Sequence, residues 1–365
     1  MRADRVTLLL AVLFTPCYCC CWHLKSAQRR RERALASFQP PSLDERPVEQ
    51  LERIRAVVEP AFYSTDAHGR KHPGLGALPR MEGPLLVVGN HQLYGFLDQP
   101  LLVEQVWKET GTLLRSLSHR DSFREGSNVP DEEAVHDDEG SGSERGAECG
   151  ADSATADSDN SSGGWLLSVD AERFGSVAVS PRALYTLMSL GQPTLLYPGG
   201  MREALKSTKA GAGECYRLEG WPEPHELDFA RLAARFNATI VTVAAVGAEE
   251  SFAMLLDRNE VRSASFGGKR LVPEGAPEDD VVPLSIPLPP QRFYYCFGAP
   301  RSAADVDPAD KEGCAALLAS CRASLEADIA LLLERRRADP CRGFFERMLA
   351  QRLLGWTELP ELDLN

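Results

Sequence analysis

Two hydrophobic patterns alternate along the chain. Short, largely apolar runs recur at Leu85-Leu86-Val87-Val88, at Thr194-Leu195-Leu196-Tyr197 and, in β-branched and small residues, over 240–246. Such runs, bounded by Gly or Pro, mark strands buried on both faces of a parallel sheet. Residues 112–118, 177–179 and 292–297 are further strand candidates. Between them the apolar positions recur with helical spacing, over 51–59, 100–109, 181–191 and 229–236. Ser180-Pro181 supplies a hydroxyl cap and a proline at the first helical position. Residues 308–337 predict a long helix, with Leu317, Leu318, Leu325, Ile329, Leu332 and Leu333 on its apolar positions. The alternation predicts an α/β fold with a largely parallel mixed sheet covered by helices on both faces. Residues 64–84, rich in Gly, Pro and His, read as loop.

Two segments break this pattern. Residues 6–24 carry no charged side chain over 19 positions, just long enough to cross a hydrocarbon core of ~30 Å. Lys25, Arg29, Arg30, Arg31 and Arg33 follow, which puts the C-terminal side in the cytosol or its equivalent. Residues 1–24 are therefore expected to be a membrane anchor or targeting segment, and 25–50 a basic linker. The second break is 125–164, rich in Gly, Ser, Asp and Glu, which reads as a disordered acidic insert within a domain spanning 51–357.

Charge sharpens this division. The 365-residue chain carries a formal −13, and the twelve acidic residues and single Arg145 between Glu125 and Ser162 account for −11 of it. The remainder is nearly neutral, which disfavours nucleic acid as a partner. Four of the ten cysteines crowd residues 17–21, the other six form no Cys-x-x-Cys pair, and none of the seven histidines is read as lying at ligand spacing from a cysteine pair, so a structural metal site is not expected. The scatter of the six suits a reducing compartment better than a disulfide scaffold.

Candidate chemistry gathers just after the buried runs, where sites collect in open α/β sheets. Gly89-Asn90-His91 follows the first, and Asp98 lies seven residues beyond His91. An imidazole there suits a general base, and a carboxylate can fix its tautomer. On a helix seven residues rise about 10.5 Å, so the pair requires the chain to fold back, which Gly95 permits. Asp98 can equally cap the helix that follows. The second constellation is Tyr197-Pro198-Gly199-Gly200-Met201-Arg202-Glu203, where glycines let backbone N–H groups approach a developing negative charge. The third, Phe174-Gly175-Ser176-Val177-Ala178-Val179-Ser180-Pro181-Arg182, ends on a cation.

In this order the three blocks resemble the glycerolipid acyltransferase superfamily, and more closely its esterase/acyltransferase branch, which includes phytyl ester synthases and is related to type 2 diacylglycerol acyltransferases. Trp221-Pro222, the 229–236 block, Tyr294-Tyr295-Cys296-Phe297-Gly298 and Asp339-Pro340-Cys341-Arg342 fit as well. The resemblance covers roughly residues 50–357. It departs in two ways. The superfamily places Asp five residues after His, here seven, and Gly199 and Met201 stand where glycerol-phosphate acyltransferases have Glu and Thr. The second departure favours a neutral hydroxyl acceptor. The plant members also carry a hydrolase-like domain, and this sequence has no Gly-x-Ser-x-Gly elbow.

The resemblance implies an O-acyltransferase with acyl-CoA or acyl carrier protein as donor and a lipid acceptor, such as diacylglycerol or a long-chain alcohol, at an endoplasmic reticulum or plastid membrane. It implies no cofactor. His91 is the expected base and Asp98 its partner. Gly199, Gly200, Arg202 and Glu203 are expected to face the oxyanion or the acceptor, with Glu203 alternatively paired to Arg202. Arg182 is expected to contact the donor or to serve the fold. A lipid hydrolase of the same fold, and an inactive membrane-tethered interaction protein, are the alternatives.

Overall fold

The structure is a computed structural model. It describes residues 49–78, 84–95, 98–119, 171–209, 214–222, 228–266, 269–273 and 281–365. By internal contacts the chain divides into two units, 1–38 with 125–168 and 39–124 with 169–365, and every described residue lies in the second. The expected anchor at 1–24 and the acidic insert at 125–164 fall outside the described residues. Among those residues, no helix is long and apolar enough to cross a membrane.

The core is a nine-stranded sheet. Its centre is the Leu85-Leu86-Val87-Val88 run, now strand β3 (Leu85–Gly89), buried along its whole length. The earlier strands are β1 (Ala61–Thr65) and β2 (Lys71–Pro73). Strands β4 (Arg115–Ser118), β5 (Val177–Ala178), β6 (Thr194–Leu196) and β7 (Thr239–Val246) follow. β12 (Tyr294–Phe297) and β13 (Arg301–Ser302) complete the sheet. The strand order is β2-β1-β12-β7-β3-β6-β4-β5, with β13 also pairing β7. Strands β7, β3, β6, β4 and β5 run parallel to one another, whereas β12 opposes β7 and β1 is parallel to β12. This is the mostly parallel mixed sheet that the apolar runs predicted.

Helices fill the connections. They are α1 (Glu49–Val58), α2 (Asp98–Thr110), α3 (Pro181–Ser189), α4 (Gly200–Ala204) and α5 (Asp228–Arg235). A separate two-stranded antiparallel sheet pairs β8 (Phe252–Leu256) with β11 (Leu284–Pro287), and α6 (Arg258–Ser263) follows β8. β9 (Ser265–Phe266) pairs with β10 (Lys269–Arg270). The chain closes with α7 (Lys311–Arg335) and α8 (Phe344–Arg352).

Local chemistry sets these boundaries. The Ser180 hydroxyl accepts the Ala183 N–H at 3.0 Å and starts α3 as its sequence predicted. The long helix begins at Lys311 rather than 308, because Asp310 turns back on the Asp307 carbonyl and its side chain caps the Glu312 N–H. Residues 64–84, expected to be loop, contain β2. Asp66 Oδ1 accepts the N–H groups of His68 and Arg70 and closes a β1–β2 turn.

Candidate active site

Because β7, β3, β6, β4 and β5 are parallel, the segments leaving their C-terminal ends share one edge of the sheet. His91 leaves β3, Tyr197 leaves β6, Gly247 leaves β7 and Ser180 leaves β5. The first job is to carry the chain out of β3 while β7 runs on. Asn90 does this with its side chain. Its amide donates to the Ala245 carbonyl at 2.9 Å and its oxygen accepts the Ala245 N–H at 2.8 Å. A buried amide thus continues the β3–β7 ladder in place of backbone. Gln92 makes the next tie, its side-chain oxygen accepting the Ala248 N–H at 2.8 Å. Gly89 is required below them, because a Cβ there would stand 2.8 Å from Val243 Cγ1 and 3.1 Å from the Tyr197 ring.

Between these amides the chain folds back. Tyr94 and Gly95 both adopt left-handed backbone, φ 65° and 64°, and Gly95 N–H closes on the Gln92 carbonyl at 3.0 Å. The reversal brings Asp98, at the start of α2, under the loop. Asp98 Oδ2 accepts the Gln92 N–H at 3.1 Å and lies 3.5 Å from His91 Nδ1. The described part of the gap holds a turn at residues 92–95, and His91 Nδ1 and Asp98 Oδ2 meet at ion-pair range, longer than a hydrogen bond. The Asp98 side chain keeps 1 % exposure and His91 keeps 14 %, so the carboxylate is sealed while the imidazole can be reached. A Cβ on Gly95 would lie 2.1 Å from His91 Cε1.

The Pro-Gly-Gly block comes to the same place. The Tyr197 ring stacks on the His91 imidazole, centroids 4.4 Å apart and planes 14° apart. Tyr94 N–H donates to the Ala204 carbonyl at 2.6 Å, which fastens the His91 loop to α4. Gly199 is forced by crowding, since a Cβ would meet Glu203 Oε2 and the Glu219 carbonyl, each at 2.4 Å. Gly200 N–H donates to the Tyr197 carbonyl at 3.0 Å. The Gly200 N–H, expected to face an oxyanion, is thus the donor that closes this turn.

Arg202 and Glu203 part company. Arg202 is exposed, whereas Glu203 is wholly buried. Glu203 Oε2 accepts the His91 N–H at 3.0 Å and the Trp221 indole N–H at 3.4 Å. Burial pushes its carboxyl up to about 7, against the opposing pull of Lys206 and the His91 N–H. Glu203 is thus an inward-facing group beneath His91.

The third block reaches the site through Gln99, the neighbour of Asp98. Its amide nitrogen lies 2.8 Å from Ser116 Oγ, 2.7 Å from Ser118 Oγ and 3.2 Å from Ser176 Oγ. Ser176 thereby helps hold the start of α2. Arg182 is exposed in the first turn of α3, after β5, three strands along the same edge from β3. At roughly 4.8 Å per strand that is about 14 Å from the His91 strand.

Sequence reasoning missed Asn90, Gln92 and Lys206 as site residues. A signal existed for the first two: polar amides flank His91 immediately after an apolar strand, where an unpaired polar side chain would be costly to bury. The described residues contain no cluster of His, Cys, Asp and Glu able to hold a metal. Cys215, Cys296, Cys314, Cys321 and Cys341 are buried, and none of them is in a disulfide.

No family model matches the chain, and no solved structure matches it. Two curated relatives do. Phytyl ester synthase 1, chloroplastic, of Arabidopsis thaliana is 30 % identical over 366 aligned residues, covering 94 % of this chain and 45 % of that protein. Phytyl ester synthase 2, chloroplastic, of the same plant is 31 % identical over 328, covering 84 % of this chain and 40 % of the relative. The chain therefore spans somewhat under half the length of the curated relatives it matches. Over most of its own length it is a homologue of the phytyl ester synthases, the esterase/acyltransferase branch that its motifs resemble.

Proposed function

We propose that the chain is an O-acyltransferase that moves a fatty acyl group from a thioester to a neutral lipid hydroxyl, with His91 as general base. The observation that carries the proposal is the reachable His91 imidazole, backed by sealed Asp98 and held against the Tyr197-Gly200 turn. The acceptor hydroxyl loses its proton to His91 Nε2. Its oxygen attacks the thioester carbonyl carbon. The Gly199 N–H and the Arg202 guanidinium stabilise the tetrahedral oxyanion. The intermediate collapses, the carbon–sulfur bond breaks, and His91 returns the proton to the thiolate. Asp98 orients the ring and stabilises the imidazolium between the two transfers. Arg182, farther along the edge, suits the phosphates at the distal end of a long donor arm.

The names of the relatives point to phytol as acceptor, and the missing Glu and Thr of the second block favour a neutral alcohol, phytol or diacylglycerol. The donor is acyl-CoA or acyl carrier protein. The relatives are chloroplastic, which favours a plastid membrane over the endoplasmic reticulum. The test is product analysis with labelled acyl-CoA offered together with phytol and diacylglycerol. Labelled phytyl ester or triacylglycerol is expected. Labelled free fatty acid alone would make water the acceptor and the protein a hydrolase.

A further inference from the structure

Lys206, one turn beyond the Pro-Gly-Gly block, is 2 % exposed. Lysine is among the residues least often buried, since its ammonium loses several kcal/mol of hydration unless it is paired. Here Nζ has two oxygen partners. One is Glu249 Oε1 at 3.1 Å, and the other is the backbone carbonyl of His91 at 3.2 Å. Nζ also lies over the Tyr216 ring, 5.9 Å from its centroid. Burial pulls the ammonium down, but Glu249 and Glu203 outweigh that pull and keep it charged.

The connectivity matters more than the charge. Lys206 hangs from the end of α4, and Glu249 stands just after β7, on the opposite side of β3 in the sheet. The ammonium bridges these two elements and touches the His91 peptide between them. Glu203, from α4 itself, holds the N–H of that same residue. His91 is thus gripped through both its N–H and its carbonyl by side chains three positions apart in one short segment. A buried ion pair that served only stability could be replaced by apolar groups at little cost. One aimed at a single peptide carbonyl has a narrower use. The imidazole of that peptide must keep its face on Tyr197 and its Nδ1 toward Asp98, and a shift of about 1 Å in a catalytic group can cost 10²-fold.

We propose that Lys206 is a positioning residue, which fixes the His91 imidazole by holding the His91 carbonyl, with Glu249 as its anchor. The proposal rests on the acyl-transfer reading, and the experiment separates the two. Lys206→Met/Glu249→Gln removes the grip and its buried counter-charge together. This double variant is expected to keep its melting temperature within a few degrees while kcat falls roughly 10²-fold and both KM values stay within about 3-fold. A folded double variant with wild-type kcat overturns the proposal. Lys206→Arg provides the second arm if the double variant fails to fold. A merely structural cation would be replaced by Arg with full kcat, which overturns the proposal. A displaced fork is expected to leave stability intact and lower kcat at least 10-fold. His91→Ala run alongside reports on the parent reading: if it turns over normally, acyl transfer by His91 fails, whatever Lys206 does.

Discussion

At the residue scale the account turns on backbone conformation that composition does not reveal. The His91–Asp98 spacing was ambiguous because seven residues can be two helical turns or a reversal. The decision is made by Tyr94 and Gly95, both left-handed. Gly95 could be read from the sequence as permissive; a tyrosine at φ 65° could not. Gly95→Ala puts a methyl into the imidazole and strains the backbone. It is expected to cost about 1–3 kcal/mol of stability and at least 10-fold in kcat, read by denaturant unfolding and steady-state rates. Unchanged kcat would mean that His91 need not hold its observed place. Glu203 gives a second residue-scale prediction. Its carboxyl sits near 7 when folded and returns to its ordinary 4.5 when unfolded. Between those values the folded state holds a proton that the unfolded state releases, so this group's stabilisation is full below 4.5 and lost as pH rises through 7. The wild type is expected to lose on the order of 3 kcal/mol across that window relative to Glu203→Gln, measured as the difference between their unfolding free energies. Parallel curves would contradict it.

At the scale of elements, the strands buried on both faces were legible and the peripheral ones were not. β3, β6 and β7 announce themselves as apolar runs because helices and neighbouring strands leave them no polar face. β1 and β2 escape notice. β1 pairs in parallel with β12, more than 200 residues away, and β2 is only Lys71-His72-Pro73. The β8–β11 pair and α8 carry no comparable signal either. The ladder between β3 and β7 also has a part that propensity cannot show, the Asn90 side chain acting as backbone. Asn90→Ala leaves the Ala245 N–H and carbonyl buried without that partner. It is expected to cost about 2–4 kcal/mol, seen as a lower denaturant midpoint with an unchanged slope. A loss below about 0.5 kcal/mol would show that the ladder does not need it.

At the scale of the whole molecule, parallel strands send His91, the Pro-Gly-Gly turn and the Ser180-Arg182 corner to one edge of one sheet, although more than 80 residues separate the first two along the chain. That convergence was legible, because the sequence places each motif at the end of an apolar run. What lay hidden was the support beneath: Glu203 turned inward and Lys206 buried, both charged side chains just past a Pro-Gly-Gly turn. The central claim is that the His91 imidazole moves the proton in acyl transfer. The direct measurement is the rate of labelled ester formation by His91→Ala, beside wild type, with acyl-CoA and phytol or diacylglycerol. The account predicts a fall of about 10²–10⁴-fold with the fold intact. Turnover within a few-fold of wild type would contradict it.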